Sequence, residues 1–453
     1  MQEDLNKNLQ YLGTETAFGF SAKVMELELS GKFERIYKFH VGDTGPKTAD
    51  AIINVAIQAL KDKQTKYGHF LGHPNVRDNI AGYINETRGT NINRDNIILV
   101  PGGKPVIELT IQSLVGEDEY VVGQNPGYPI YESLARFYTK GKYIPWYATD
   151  PENKGQLEFF VEDLENILKE NNKIKLLVIN TPQNPTGMIL TENKLRDIAN
   201  LAIKYNFYIL FDDIYDQIIF DSRKHFSLLS IPEVQDKIIN LQGFSKDYAM
   251  TGWRMGYAVA PKWLIEKFGQ LAINKWTAMP TVFQIVAGVI FGDVEVNGFK
   301  YQSVRDEIAP IIKKDIIEYE QKGKFVYEAL RLVKEYVIPN KPEGAFYIFP
   351  NIRKVLELDY VKNELKLKNS SDFSYWLLQE KGFATLAGGD FGLGGEGFIR
   401  FSYAEDKNLH IVPGIKYFVQ VILELLEKSG KDLPITKAEL DEKIKELENK
   451  IFV

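Results

Sequence analysis

The 453-residue sequence contains no cysteine. That excludes a disulfide framework, a thiolate metal site and a cysteine nucleophile. Basic residues do not outnumber acidic ones: 55 Lys and Arg stand against 61 Asp and Glu, a net charge of -6. A broad phosphate-neutralising face for nucleic acid therefore has little support, although a local basic pocket is compatible with this balance. No run of about 18 apolar residues is evident, and Met1–Gln10 is polar, without an apolar core and small-residue cleavage site. The expectation is a cytoplasmic protein with no membrane or nucleic-acid partner. Histidine is scarce, at five residues (His40, His69, His73, His225 and His410), with no helical i, i+4 pair and no nearby ligand cluster. No dedicated metal site is expected, and surface or packed histidines are the ordinary reading.

What is present suits a large globular enzyme. The chain is long enough for roughly two or three domains of about 150 residues each. Its 44% hydrophobic and 26% charged composition shows no low-complexity bias. Between residues 96 and 277, short apolar runs alternate with helical patterns. The runs are Ile97–Val100, Tyr120–Val122, Leu176–Ile179, Tyr208–Phe211, Ile238–Leu241 and Met255–Ala260; helix-like stretches include Lys104–Leu114, Val161–Asn171 and Thr191–Tyr205. Strands alternating with helices predict an α/β fold with a mostly parallel sheet covered on both faces. The expected division is a large domain over 46–300, a smaller α/β domain from 1–45 and 301–428, and a helical extension over 429–453. In that extension Thr436 and Glu439 form a capping-box pattern ahead of Leu440, Ile444, Leu447 and Ile451. A single apolar stripe of this kind needs one surface to cover it, and docking on its own subunit is the ordinary explanation.

In an open parallel sheet, ligands bind beyond the carboxyl ends of the strands. The unusual polar residues fall there. Asn184 follows the run 176–179, Asp212 and Asp213 close the run 208–211, and Ser245-Lys246 follow the run 238–241. Gly102-Gly103-Lys104 joins a strand to a helix N-terminus, a weak signal alone but one that suits an anion. Ser245, Lys246 and Arg254 could complete a phosphate cradle. A lysine after a buried strand and facing a carboxylate can be desolvated, which lowers its pKa and makes it nucleophilic toward an aldehyde. Either aspartate could be a helix cap; a carboxylate at the floor of the site could instead hold a ring nitrogen protonated. Tyr215 can return to the same face and offer a phenol.

These residues resemble the class I and II aminotransferases of the aspartate aminotransferase superfamily, fold type I of the pyridoxal-phosphate enzymes. The resemblance runs from about Thr16 to Ile422. Asn180-Thr181-Pro182-Gln183-Asn184-Pro185-Thr186-Gly187 is similar to the family's N-P-x-N-P-T-G segment, Asp212-Asp213-Ile214-Tyr215 to its D-E-x-Y segment, and Ser245-Lys246 with Gly252-Trp253-Arg254-Met255-Gly256 to its S-K…G-x-R-x-G segment. The chain departs from the pattern at Gly243, where the family commonly has Ser, and at Gly42-Asp43-Thr44-Gly45-Pro46, where it commonly has G-x-P-x-F. The stretch around 295–318 has no counterpart in the common pattern.

The resemblance implies pyridoxal 5'-phosphate as cofactor, bound as an imine on Lys246. Gly103, Lys104, Ser245 and Arg254 would lie at the phosphate, Tyr128 would stack on the ring, Asn184 and Tyr215 would meet its oxygen, and Asp212 would meet its nitrogen. Tyr67 matches a tyrosine that reaches the partner subunit's phosphate, which implies a homodimer with sites at the interface. Gly42, Asn184 and Arg400 would hold the substrate carboxylate. Lys246, Asp212 and Tyr215 would carry catalysis. The implied reaction moves an amino group from an L-amino acid to a 2-oxo acid such as 2-oxoglutarate, by a ping-pong mechanism. Phe18 and Phe20 fall where related enzymes close over the substrate side chain, which hints at an apolar or aromatic donor, and packing explains them equally well. The same site residues also suit a pyridoxal-phosphate-dependent lyase or decarboxylase. A regulator built on this fold would need a winged-helix region ahead of Thr16, where only about fifteen residues stand.

Overall fold

The computed structural model describes residues 5–13, 15–150 and 157–452; Met1–Asp4 of the polar N-terminus and Val453 of the C-terminal extension lie outside the described residues. At the centre is a seven-stranded sheet in the order Ile97–Val100, Gly256–Val259, Ile238–Gly243, Tyr208–Asp212, Ile174–Asn180, Tyr120–Asn125, Tyr143–Tyr147. All neighbours run parallel except Gly256–Val259, which is antiparallel to both of its partners. Six strands fall on the apolar runs legible in the sequence, five containing their run and Gly256–Val259 lying within Met255–Ala260. The seventh, Tyr143–Tyr147, carries Pro145, which argues against a strand in sequence but is tolerated at the sheet edge this strand occupies.

The strands read as continuous apolar runs because both faces are covered. Leu177, Ile179, Ile209 and Phe211 enter one core; Leu176, Val178, Leu210 and Ile239 enter another on the opposite face. Helix Lys104–Leu114 starts directly after Gly102-Gly103. Helix Glu192–Tyr205 begins where the Thr191 side chain accepts from the Lys194 N–H and ends at Asn206, which takes the left-handed conformation that stops a helix. Register then sets the level of the strand ends: Asn180 lies opposite Asp212, and Asp212 opposite Leu241.

A third core gathers the C-terminal part of the chain around helices Arg305–Leu330 and Val412–Lys428 and the three-stranded antiparallel sheet of Tyr347–Ile348, Ile399–Ser402 and Leu386–Ala387. Phe39, next to strand Tyr37–Lys38, joins this core, and that strand pairs with Phe383–Ala384. The segment Lys407–Lys428 is long and apolar enough to cross a membrane, contrary to the sequence reading; 61% of its most apolar window is buried within the fold, as in a core helix. The stretch 295–318 also resolves. Val294–Val296 and Phe299–Tyr301 form a hairpin across Asn297-Gly298, both at positive φ, and helix Arg305–Leu330 follows.

Helix Lys437–Ile451 carries the expected capping box between Thr436 and Glu439. It packs on helices Arg305–Leu330 and Val412–Lys428 of its own chain, burying Leu440, Ile444 and Ile451, and Phe452 reaches Phe325 at 5.4 Å between ring centroids. If this docking contributes to the fold, Leu440→Ala lowers unfolding free energy by about 2–5 kcal/mol. Leu433→Ala, at an exposed position before the helix, changes it by less than about 0.5 kcal/mol. Urea unfolding of the two variants checks this, and equal effects would speak against docking.

Candidate active site

Three levelled strand ends place Asn180, Asp212 and the Ser245-Lys246 turn on one cavity of about 560 Å³. Asp212 sits at its floor, 5% exposed. The Tyr131 hydroxyl donates to its Oδ2 at 2.6 Å and the Ile214 N–H to its Oδ1 at 3.1 Å. Burial pushes the Asp212 carboxyl up to about 7, against the lowering effect of these two donors. Asp213 takes the other direction. Its Oδ1 accepts from Asn240 Nδ2 at 2.7 Å and Gln242 Nε2 at 2.5 Å, and its Oδ2 pairs with His225 Nε2 at 2.9 Å. The geometry thus separates the two aspartates that sequence left equivalent: the alternation of an extended chain sends only Asp212 into the cavity.

Lys246 lies three residues beyond strand Ile238–Gly243. Its Nζ donates to the Gly42 carbonyl at 2.5 Å and stands 5.7 Å from the Phe346 ring centroid. Burial pushes this amine down to about 8; the Arg400 charge pushes the same way, while Asp43 opposes it. Gly42 has a steric reason to lack a side chain, since a Cβ there would come 2.9 Å from the Tyr347 hydroxyl.

One end of the cavity suits an anion. Gly102, at φ +85°, precedes the helix N-terminus at Gly103-Lys104, and a Cβ on it would fall 2.3 Å from Arg254 Nη2. Only glycine lets the guanidinium lie against this turn. Arg254, itself in the left-handed region at φ 53°, donates to the Thr251 carbonyl at 2.8 Å, and Ser245 lines the same end. Unpaired helix N–H groups, a hydroxyl and a guanidinium form a donor set for phosphate. The Lys104 side chain goes elsewhere: its Nζ meets Glu15 Oε2 at 2.8 Å, and the Tyr128 hydroxyl donates to the same oxygen at 3.1 Å.

Arg400, 3% exposed on strand Ile399–Ser402, donates to Asn184 Oδ1 at 3.0 Å and to the His40 carbonyl at 2.6 Å. The Tyr347 and Phe391 rings lie 4.6 and 5.0 Å from its guanidinium. Its Nε is buried without a hydrogen-bond partner. Such an arrangement leaves a cation ready for a bidentate carboxylate. Tyr215 is buried at the same wall, its hydroxyl 2.9 Å from that of Tyr347. Tyr128 stands edge-on to Tyr131 at 5.4 Å.

The cavity therefore gathers every site residue read from the sequence except Tyr67. Tyr67 is 90% exposed on a neighbouring apolar groove with Trp253, Met279 and Phe283, which shares Gly252 with the cavity. Phe18 lines the cavity, whereas Phe20 is buried against His40 and Tyr375. Sequence reasoning missed Tyr131, Glu15, Tyr347 and the orienting role of Asn180, whose Nδ2 donates to the Asp212 carbonyl at 3.0 Å and whose Oδ1 accepts from the Asn184 N–H. A signal existed for Tyr131. It stands three residues after Tyr128 on helix Pro129–Tyr138, hence on the same face.

Comparison with known proteins agrees with this architecture. The sequence profile described as aminotransferase class I and II matches residues 36–412. An aspartate aminotransferase of Sulfolobus acidocaldarius is 30% identical over 393 residues, covering 86% of this chain and 91% of that protein. Aromatic-amino-acid aminotransferase 2 of Thermococcus litoralis is 29% identical, covering 83% of this chain and 89% of that protein. The crystal structure of an aromatic aminotransferase from Pyrococcus horikoshii superposes with a TM-score of 0.76 at 26% identity, over 90% of this chain and 98% of that one. With the family profile spanning most of the sequence, the chain belongs to the class I and II aminotransferases.

Proposed function

We propose that this enzyme carries pyridoxal 5'-phosphate on Lys246 and transfers an amino group from an L-amino acid to a 2-oxo acid, 2-oxoglutarate in the first instance. The observation that carries the reading is the shared cavity: a desolvated amine with its pKa pushed down to about 8, a floor carboxylate and a buried guanidinium without a counter-charge. The donor set fits the cofactor's three polar ends. Gly103, Ser245 and Arg254 would hold the phosphate, with the Lys104 backbone at the helix N-terminus; Asp212 would hold the ring nitrogen, Asn184 and Tyr215 the ring oxygen, and Tyr128 one ring face. When bound, the cofactor supplies a carbonyl carbon for amino transfer and a ring that takes up electron density from the substrate Cα.

The chain's own residues supply the rest. Arg400, oriented by Asn184 and the His40 carbonyl, clamps the substrate α-carboxylate beside Gly42 and thereby fixes the Cα–H bond. Lys246 Nζ, once free and neutral, takes the Cα proton and hands it on within the same face, as one group in reach of both positions can. Tyr131 and the Ile214 N–H favour the ionised form of Asp212 in part against its burial, and a positive charge on the ring nitrogen would favour it further. Donor and acceptor use the same carboxylate clamp in turn, which gives ping-pong kinetics. In this reading residues 46–300 form the cofactor domain, 1–45 and 301–428 the smaller domain, and 429–453 a docked extension. The active unit is a homodimer: Tyr67, exposed on an apolar groove beside the cavity, would complete the partner's phosphate site.

Lys246 is tested by borohydride reduction after cofactor addition, which fixes the label to the Lys246 peptide in the parent protein and not in Lys246→Ala. Only a neutral amine attacks an aldehyde. Capture of pyridoxal phosphate by the cofactor-free protein therefore accelerates as pH rises and levels off above about 8, rather than climbing toward the 10.4 of an ordinary lysine. Asp212→Ala leaves cofactor attachment possible but slows Cα proton removal roughly 10²–10⁴-fold, the scale of a lost buried ion pair; half-reaction stopped-flow rates near the parent value would reject the assignment. Mixing Lys246→Ala chains with inactive Tyr67→Ala chains restores part of the activity, because one hybrid site has both contributions intact. Hybrids that form by mass and recover nothing would place Tyr67 in its own subunit's site.

A further inference from the structure

Gly42-Asp43-Thr44-Gly45-Pro46 is the segment where the chain leaves the common family pattern, and the transfer reading uses only its first residue. The segment is seated without help from Asp43. A Cβ on Gly45 would fall 1.9 Å from the Ala404 carbonyl oxygen, so the backbone there lies directly against the stretch that follows strand Ile399–Ser402. Just beyond it, Thr48 Oγ1 donates to the Ala249 carbonyl at 2.5 Å and accepts from Trp253 Nε1 at 3.2 Å. Asp43 adds a different link. It is exposed at the rim of the cavity, and its Oδ1 accepts from the Thr251 hydroxyl at 2.7 Å and from the Thr44 N–H at 2.8 Å. Thr251 opens the short turn that leads to Arg254, and its carbonyl accepts from that guanidinium. One peptide bond before Asp43, the Gly42 carbonyl accepts from Lys246 Nζ.

We propose that Asp43 is a positioning residue for Lys246: its carboxylate ties the backbone that holds the amine to the turn that holds Arg254, so that one link sets the reactive amine against the anion end of the cavity. The proposal deepens the reading of Lys246 as the amine that captures the cofactor, and it rests on that reading. Charge adds a second consequence. Asp212 faces the amine from the floor, Arg254 from the anion end, Arg400 from the carboxylate clamp, and Glu15 and Asp43 from the other walls. Lys104 is paired with Glu15, and burial keeps the Tyr215 and Tyr347 phenols neutral. Burial and the two arginines disfavour the ammonium form of Lys246, and the Asp43 charge is the strongest influence against them. Bond and charge are thus separable: the hydrogen bond to Thr251 fixes where the amine is held, and the charge fixes the pH at which the amine becomes neutral.

The test mixes pyridoxal phosphate with the cofactor-free protein and three variants, and follows capture by Lys246 through absorbance as a function of pH. Asp43→Asn keeps the acceptor oxygen and drops the charge, Thr251→Val keeps the charge and drops the bond, and Asp43→Ala drops both. Loss of the charge should move the midpoint of capture about 0.5–1 pH unit below the parent value, the scale of one water-screened charge. That shift should appear in Asp43→Asn and Asp43→Ala and not in Thr251→Val. Loss of the bond should lower the plateau rate at high pH about five- to tenfold in Asp43→Ala and Thr251→Val, the scale of one net hydrogen bond. Asp43→Asn should stay within about twofold of the parent plateau. Asp43→Ala combined with Thr251→Val should be no slower than either alone, because both remove the same link. Thermal melting of each variant reports on folding. An unmoved midpoint in Asp43→Asn, a plateau as low in Asp43→Asn as in Asp43→Ala, or additive losses in the double variant would overturn the proposal. Competitive acetylation by acetic anhydride, read by mass spectrometry on the Lys246 peptide, gives the same midpoint and reactivity without the cofactor. If the acetylation pattern appears while the parent captures no pyridoxal phosphate, the reaction assigned above fails and the role of Asp43 stands; capture at Lys246 that no Asp43 variant alters has the reverse meaning.

Discussion

The arrangement around Arg400 depends on a charge that the fold buries without neutralising. Among the described residues no carboxylate pairs with this guanidinium. It is held instead by an amide oxygen, a backbone carbonyl and two aromatic faces. Burying a cation this way costs free energy that a fully paired ion would recover, and the orphaned Nε shows the pairing is incomplete. Meeting that cost requires the parts to be fixed. His40 comes from the segment after strand Tyr37–Lys38, Asn184 from the loop beyond Ile174–Asn180, Tyr347 and Phe391 from the C-terminal core. The single guanidinium therefore ties the central sheet to the C-terminal core across the cavity.

The other ionisable groups of the cavity show the same tension. Burial raises the carboxyl of Asp212 and lowers the amine of Lys246. Both shifts disfavour the charged forms, and neither group has a direct ionic partner. Such a cavity suits a ligand that brings an anion to one end and a protonated nitrogen to the floor, because each would supply the opposite charge that these buried groups lack. Behind the floor, Asp213 is surrounded by Asn240, Gln242 and His225, which absorb a second buried carboxylate where it touches nothing in the cavity. Gly243 packs into this region as well: a Cβ there would lie 3.1 Å from Ile214 Cδ1, beside the residue whose N–H supports Asp212.

Much of the fold was legible because a sheet buried on both faces writes apolar runs into the sequence. The missed elements are those whose pattern is weak or split. Tyr143–Tyr147 includes a proline, and the hairpin at 294–301 has strands of three residues, although Asn297-Gly298 marked its turn. The segment Lys407–Lys428 misleads in another way, since its apolar character reflects burial among other helices. Within the site, Lys246, Asp212, Asn184 and Arg254 were legible because each lies in a local motif whose spacing survives in one dimension. Glu15 and Tyr347 were not. Glu15 matters through Lys104 and Tyr128, 89 and 113 residues away, and Tyr347 through Tyr215, 132 residues away.

The sequence by itself determined the alternation of strands and helices, the motifs at the strand ends, the capped C-terminal helix and membership of the family, all of which depend on neighbours within a few residues or on short ordered segments. Tertiary structure decided which of two adjacent aspartates faces the cavity, that the Lys104 side chain answers to Glu15, and that Tyr67 lies exposed outside the cavity of its own chain. The physical reason is common to the three. Charge, burial and hydrogen bonding act through space over a few ångströms, and the groups that meet there are brought together by strand register and core packing.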